Sequence, residues 1–370
     1  MYTKYLFKLL SYIFYIPNLI GAQPVHVYSK TGLFYTLSKS RRRLFSSITI
    51  FITVVSCFVI RTCEIWWNKG GNRHPYYHVC YALTFVAVIE LVCLIQMYWS
   101  RNEVCVVLNQ MTRYSLRFEH IWMIQGQYNP IALRSKPLPG IVLDICCILL
   151  AASCNSLFWT NTAYYCSFPD TSIFHVTLLP IEWQNWYPVY YGHVLFLTYY
   201  TTIVYESLLS NAIIALIFAV SGYTILSSGL YFKSGKRYKT YRSLHYGYNL
   251  IHEFISLQLI FKQINYIYGI WLLAIHGLFG QFALFCNYSV IKYWDQLNPM
   301  TRILLIVWSF VVQIPWTSFL HVAGNFFQLS QRTLKSWKGI KCRNVLERKY
   351  FSKARKACRP IIVGADGVFT

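Results

Sequence analysis

Residues 187–232 read YPVYYGHVLFLTYYTTIVYESLLSNAIIALIFAVSGYTILSSGLYF and contain one charged side chain, Glu206. A helix that crosses a bilayer needs about 20 apolar residues at a rise of about 1.5 Å each. One helix over this whole stretch would be about 69 Å long, more than twice the hydrocarbon thickness. Neither a proline nor a charged loop separates two halves. We therefore expect one span, to about Phe218, that continues as a helix beyond the membrane.

Five further apolar runs are long enough to cross a bilayer: residues 44–60, 78–99, 141–159, 264–290 and 303–322. Of the 370 residues, 56% are hydrophobic and 12% are charged, and that charged share is about half of the soluble average. Such a composition excludes a mostly disordered chain and cannot supply the surface of a water-soluble domain. The sequence predicts an all-α polytopic membrane protein with six transmembrane helices.

The distribution of the basic residues predicts how these spans are oriented in the membrane. The net charge is +22, from 34 Lys and Arg against 12 Asp and Glu. With a cytoplasmic N-terminus, the inner segments 1–43, 101–140, 233–262 and 332–359 hold 29 of the 34 basic residues, and the outer segments hold four. Lys and Arg are enriched in cytoplasmic loops. Two spans in the fourth segment would place both later basic tracts outside, so the charge count also favours one span there.

Three parts follow from this topology: a cytoplasmic N-terminal segment 1–43, a six-span domain 44–322, and a basic cytoplasmic helical segment 323–370 that leads to a truncated seventh span. The six-span domain includes the cytoplasmic loops 101–140 and 219–262. The spacing of apolar and aromatic residues predicts a helix in the second loop. Steps of three and four residues separate Leu244, Tyr248, Ile251, Ile255 and Leu259. We expect these helical extensions to pack together in the cytoplasm. The alternative is amphipathic helices that lie on the inner leaflet.

The apolar N-terminal stretch 5–20 is a second ambiguous segment. Lys8 and Pro17 interrupt it, and the residues that follow it form a poor cleavage site. A secretory signal needs small residues at that place. We interpret the stretch as interfacial or cytoplasmic, with a retained signal as the alternative.

Enzyme signatures are absent from the sequence. There is no phosphate-binding Gly-x-x-x-x-Gly-Lys-Ser/Thr loop, no His-Glu-x-x-His and no Gly-x-Ser-x-Gly. His252-Glu253 lacks the second histidine of a zinc site. We therefore expect no catalytic residues, no metal site and no cofactor, and the basic tracts beside the bilayer do not indicate nucleic acid.

Polar groups inside apolar spans are the candidate site residues, because burying them in lipid is costly. Glu90, His276 and Gln281 are such groups, and hydrogen bonds between helices are the structural alternative for each. Aromatic residues also gather at the outer span ends: Trp66, Trp67, Phe158, Trp159, Tyr164, Tyr165, Trp183, Trp186, Tyr187, Tyr191, Phe285 and Tyr288. Most fit an interfacial belt, but they also suit an aromatic pocket that opens outward. We predict a ligand site that includes Glu90, Phe158, Tyr191, His276 and Gln281.

Four stretches resemble insect gustatory receptors, which share a superfamily with insect odorant receptors. They are GLFYTLS at residues 32–38, VLNQM at 107–111, the inner stretch 241–259 and KARKACRP at 353–360. The family signature in the seventh span, Thr-Tyr, five residues and Gln-Phe, does not occur in this sequence. The resemblance covers nearly the whole chain and implies a member whose last span is truncated or absent.

The resemblance implies a gustatory receptor: a ligand-gated cation channel subunit in the plasma membrane of sensory neurons. Such a subunit detects small molecules, and its expected ligand is a small tastant. The resemblance also implies a homo- or hetero-tetramer with related subunits, and dendrites of gustatory neurons as the location. An odorant-receptor-type subunit is the first alternative. A polytopic transporter would show paired inverted repeats, and a membrane enzyme would show converging His, Asp or Cys near one leaflet.

Overall fold

The computed structural model describes residues 2–3, 5–68, 70–74, 76–124, 138–157, 159–171, 174–184, 186–232, 239–340, 342 and 344–364. Over these residues the regular secondary structure is helical apart from one isolated bridge, Met123–Thr240, and one two-stranded hairpin, β1 (Val25–Tyr28) and β2 (Leu33–Thr36). The helices are α1 (Leu6–Ile13), α2 (Tyr15–Ile20), α3 (Ser38–Asn68), α4 (Tyr77–Trp122), α5 (Leu138–Leu157), α6 (Trp159–Ser167), α7 (Ile181–Gln184), α8 (Tyr187–Thr224), α9 (Gly247–Lys292), α10 (Pro299–Ser336) and α11 (Val345–Ala357).

Five helices of the described chain are long and apolar enough to cross a membrane: α3, α4, α8, α9 and α10. Helix α5 occupies the place of the predicted third span, and its apolar stretch is Ile141–Ala152. The predicted all-α polytopic membrane fold is confirmed. We call the end of the bundle where α3 ends and α4 begins the aromatic end. The opposite end, which carries the hairpin and α11, is the basic end.

The helices extend beyond the predicted spans. Helix α3 begins at Ser38, before the expected boundary at residue 44, and α10 continues to Ser336, past the boundary at 322. Helices α4 and α9 have 46 residues each, about 69 Å at 1.5 Å per residue. Helix α8 is continuous from Tyr187 to Thr224 and ends in a π-helical turn, Ile225–Leu230. The expected extensions therefore exist, and α4 packs against α9.

Three residues of the pattern that predicted a helix here lie on the exposed side of α9. Tyr248 is 66% exposed, Ile255 40% and Leu259 56%. The buried side chains at this end of α9 are instead Leu250, Ile251, Phe254, Leu257 and Phe261. Apolar residues occupy both faces here, so helical periodicity identifies the helix but not the side that packs inward.

Helices α8, α9 and α10 approach one another closely at Gly222 of α8. A Cβ atom there would lie 2.8 Å from the rings of Phe261 on α9 and Phe326 on α10. Those two rings pack against each other in a tilted arrangement with centroids 4.7 Å apart. Glycine is required at this position because a methyl group would overlap both rings.

A buried carboxylate joins the basic ends of α4 and α9. Glu253 on α9 accepts hydrogen bonds from the Arg117 guanidinium at 3.1 Å and from the Trp122 indole at 3.1 Å. The Tyr114 hydroxyl on α4 donates to the Glu253 backbone carbonyl at 2.8 Å. Burial and the nearby Glu253 raise the pKa of Tyr114, so this hydroxyl keeps its proton. The charge of Glu253 is paired and hydrogen-bonded, as a buried carboxylate requires.

The N-terminal hairpin is held on α4 by one amide side chain. Asn109 accepts from the backbone N–H of Phe34 at 2.8 Å and donates to its carbonyl at 2.8 Å. The turn between the strands needs Gly32, whose φ of +68° lies in the left-handed region. Asn109 belongs to the VLNQM stretch at residues 107–111, so that stretch holds the N-terminal segment in place.

The segment that follows α11 is held on α9 in the same way. The Asn265 side chain donates to the Ile362 carbonyl at 2.8 Å and accepts from the Gly364 N–H at 3.0 Å. On the α10 side, the Ile361 N–H donates to the Ser330 hydroxyl at 2.8 Å. Residues 359–364 therefore pack as an extended segment along α9 and α10.

Replacing Asn109 with alanine should release the hairpin. The substitution leaves the Phe34 N–H and C=O without their partner, which costs about 1–3 kcal/mol in local stability. Hydrogen–deuterium exchange should show faster exchange across residues 25–36. Asn102→Ala is the control, because Asn102 makes an exposed bond with Thr36 at 3.2 Å. Equal exchange in the two variants would contradict this role of Asn109.

Candidate ligand-binding site

A small cavity lies between α3, α4, α6 and α8 toward the aromatic end. Its volume is ≈ 10 Å³, and its walls are Phe58, Leu83, Tyr164, Phe174, Leu197 and Tyr200. Four of the six walls are aromatic. The cavity has room for about one water molecule, whereas sites for small organic ligands usually enclose about 300–1,000 Å³. A ligand larger than water must therefore displace the walls.

Ring stacking holds the walls in place. The Tyr200 ring stacks on Phe51 with centroids 4.8 Å apart and meets the edge of Phe58 at 6.1 Å. Phe174 meets the edge of Tyr165 at 4.8 Å. Aromatic pairs in these geometries each contribute about 0.5–1.5 kcal/mol beyond their buried area.

An arginine at the end of α3 positions the segment that carries Phe174. The Arg61 guanidinium donates to Glu64 at 2.6 Å and to the Thr177 hydroxyl at 3.0 Å. Thr177 lies in a short 3-10 turn, His175–Leu178, directly after Phe174. Burial first, and the charge of Arg61 second, lower the pKa of His175, so this imidazole is neutral at pH 7.

Glu90 lies between α4 and α8, adjacent to this cavity. Its side chain is fully buried, and neither carboxyl oxygen has a hydrogen-bond partner in the described part of the chain. The hydroxyls of Tyr200 and Ser207, both on α8, are likewise buried and unpartnered there. The Ser207 hydroxyl lies next to the Glu90 carboxyl but lacks the geometry of a regular hydrogen bond to it, and the Tyr200 hydroxyl lies near the same carboxyl. Tyr200 belongs to both places, because its ring also forms part of the cavity wall.

The other predicted site residues lie elsewhere. His276 on α9 accepts a hydrogen bond from the Trp316 indole on α10 at 2.8 Å, so it has the interhelical bond that was its structural alternative. Gln281 is exposed on α9. Tyr191 is 59% exposed and stacks with Tyr187 at 6.4 Å. Phe158 lies outside the described residues. Of the four that the structure describes, Glu90 is the one beside the cavity.

Most residues of the cavity wall could not be identified from the sequence. Tyr164 is among the aromatic residues gathered at the span ends, but Phe58, Leu83, Leu197 and Tyr200 resemble any other apolar residues of a span. Their shared role depends on how four helices are arranged. Among the described residues, no group of three or more His, Cys, Asp or Glu side chains is placed to hold a metal ion.

The sequence matches no protein-family model and no curated protein. A solved structure does match: the insect olfactory receptor OR5 from Machilis hrabei. The superposition has a TM-score of 0.66 and covers 99% of this chain and 93% of that chain, at 12% sequence identity. This chain has the fold of an insect olfactory receptor. At that identity the likeness establishes the fold alone.

Phe174→Ala should open the cavity. Removal of a buried phenylalanine ring costs about 3–5 kcal/mol of stability and leaves an apolar void. We expect a lower melting temperature for the variant in detergent, and partial recovery when benzene fills the void. Phe310→Ala serves as the control, because Phe310 on α10 is 59% exposed. Benzene stabilisation of the wild type equal to that of the variant would contradict the closed cavity.

Proposed function

We propose that this chain is a chemoreceptor subunit that binds a small organic molecule at the aromatic end of its bundle and thereby opens a cation channel. One observation carries the proposal: the aromatic cavity lies inside a fold that matches an insect olfactory receptor over 99% of the chain. A ligand that binds the open state more tightly than the closed state shifts the receptor toward opening.

Taste compounds are the ligands we favour. The support is the resemblance of residues 32–38, 107–111, 241–259 and 353–360 to insect gustatory receptors. The alternative, an odorant-type subunit, is favoured by the olfactory identity of the structural neighbour. Responses of the same cells to water-soluble and to volatile compounds distinguish a taste receptor from an odorant-type subunit.

The proposed orientation places the basic end in the cytoplasm of a plasma membrane. The hairpin, the ends of α4 and α9 and helix α11 share this end. Asn109 contacts Phe34, Arg117 contacts Glu253, and the Phe351 ring lies against Gly247. Segments that hold most of the 34 basic residues therefore face one side, which supports the predicted cytoplasmic N-terminus.

We further propose that four copies assemble through α9. Tyr248, Ile255 and Leu259 form an exposed apolar stripe at steps of seven and four residues, on the part of α9 that extends past the predicted span. An apolar stripe with this spacing is typical of a helix that packs against another helix. In water it would be unfavourable without a partner.

Functional expression tests the receptor proposal. We expect Glu90→Leu and His276→Leu to change dose–response curves for calcium influx while surface biotinylation stays at the wild-type level, because both residues are polar groups within spans. Glu103→Leu on α4 is the control, because Glu103 is exposed. Dose–response curves that match the wild type in both variants would refute the roles of Glu90 and His276.

Charge placed in the stripe should separate the subunits. The double variant Ile255→Glu, Leu259→Glu introduces like charges where the proposed helices meet, so mass photometry in detergent should show smaller particles than the wild type. Leu116→Glu places the same charge on an exposed leucine of α4 and should leave the particle mass unchanged. A wild-type particle with the mass of one 43.5 kDa chain would overturn the assembly.

A further inference from the structure

Three unpartnered polar groups meet beside the aromatic cavity. Glu90 is 0% exposed, Tyr200 2% and Ser207 0%, and both Glu90 oxygens and the two hydroxyls have no hydrogen-bond partner in the described chain. Buried polar atoms in folded proteins are nearly always hydrogen-bonded. Three such groups on two facing helices indicate a place that another molecule completes.

The depth of the cluster fits entry from the aromatic end. Glu90 follows the first residue of α4 by 13 positions, and Tyr200 follows the first residue of α8 by the same number. Both therefore lie about 20 Å along their helices from the aromatic end. A molecule that enters there reaches the aromatic walls before it reaches the Glu90 carboxyl.

We propose that this cluster selects small organic amines, with the ammonium group at Glu90 and the carbon skeleton between the aromatic walls. The proposal rests on the proposed function and names the ligand class of the same site. It requires the aromatic walls to move apart, because the cavity is smaller than any amine.

The hydrogen-bonding capacities match. A primary ammonium group has three donors and no acceptor. An ionised carboxyl is an acceptor only, and the hydroxyl oxygens of Tyr200 and Ser207 can accept as well. A ligand that ends in a carboxylate would bring a second negative charge to Glu90, and a neutral carbonyl could accept a hydrogen bond only from the protonated carboxyl, without any pairing of charges.

The aromatic walls add a second source of selectivity for cations. The rings of Phe51, Phe58 and Tyr200 pack together next to the cluster. A cation within about 6 Å of an aromatic face is attracted by the ring, and most strongly where water is excluded. A neutral alcohol of the same skeleton gains the apolar contacts but neither the charge pairing with Glu90 nor this attraction.

Paired ligands provide the test. The full chain in lipid nanodiscs is melted at neutral pH, followed by tryptophan fluorescence, with butylamine against butanol and phenethylamine against phenethyl alcohol. We expect each amine to bind about tenfold or more tightly than its alcohol, because of one charge-assisted interaction in a dry site. Glu90→Gln keeps the size of the side chain and should abolish this preference while alcohol binding stays. Glu103→Gln, on the exposed face of α4, should leave it intact.

The outcomes separate the two proposals. Alcohols that bind as well as amines, with no effect of Glu90→Gln on their ratio, would overturn the amine proposal and leave the receptor pocket standing. Absence of binding by all four compounds would overturn both. If Glu90→Gln does not fold, Tyr200→Phe and Ser207→Ala each remove one hydroxyl and should each reduce the amine preference. Unchanged preference in both would refute the cluster.

Discussion

Backbone groups outside a helix must find hydrogen-bond partners before they can pack against apolar helices, and in this chain two asparagines supply them. Asn109 pairs with both backbone groups of Phe34, and Asn265 pairs with Ile362 and Gly364. A carboxamide has the same donor and acceptor as a peptide unit, so each replaces a missing strand neighbour. One asparagine lies on α4 and the other on α9, the two helices of 46 residues that Glu253 joins. The N-terminal hairpin and residues 362–364 are thus fixed to the two longest helices of the described chain.

Much of the fold was accessible from the sequence, because lipid restricts a spanning chain to helices and the apolar runs mark them. The continuous helix over residues 187–224 follows from the absence of a proline after the first turn and of a charged loop. The faces on which the helices pack were harder to predict from the sequence. In α9, Leu250, Phe254 and Leu257 are buried whereas Tyr248, Ile255 and Leu259 are exposed, although all six are apolar or aromatic. A soluble helix marks its outer face with charge, but a helix that contacts lipid or another subunit does not.

The candidate site shows the same division. Glu90 could be found from the sequence because a carboxylate inside a span is rare and costly. His276 carries the same sequence signal, yet it already has the Trp316 indole as its partner. Whether a polar group in a span is satisfied depends on its neighbours in space, which one sequence does not reveal. Leu83 and Leu197 carry no chemical signal at all, and they line the cavity only because four helices meet around them.

The smallness of the cavity has a kinetic consequence. A site of ≈ 10 Å³ admits a ligand only while Tyr164, Phe174 and their neighbours are displaced, so capture proceeds at the encounter rate multiplied by the open fraction. Two compounds of equal affinity then differ in how quickly they occupy the cavity, since the slimmer one passes through smaller fluctuations of the walls. The same stacked rings slow the escape of a bound molecule. The proposed receptor would therefore respond to sustained exposure more than to brief pulses.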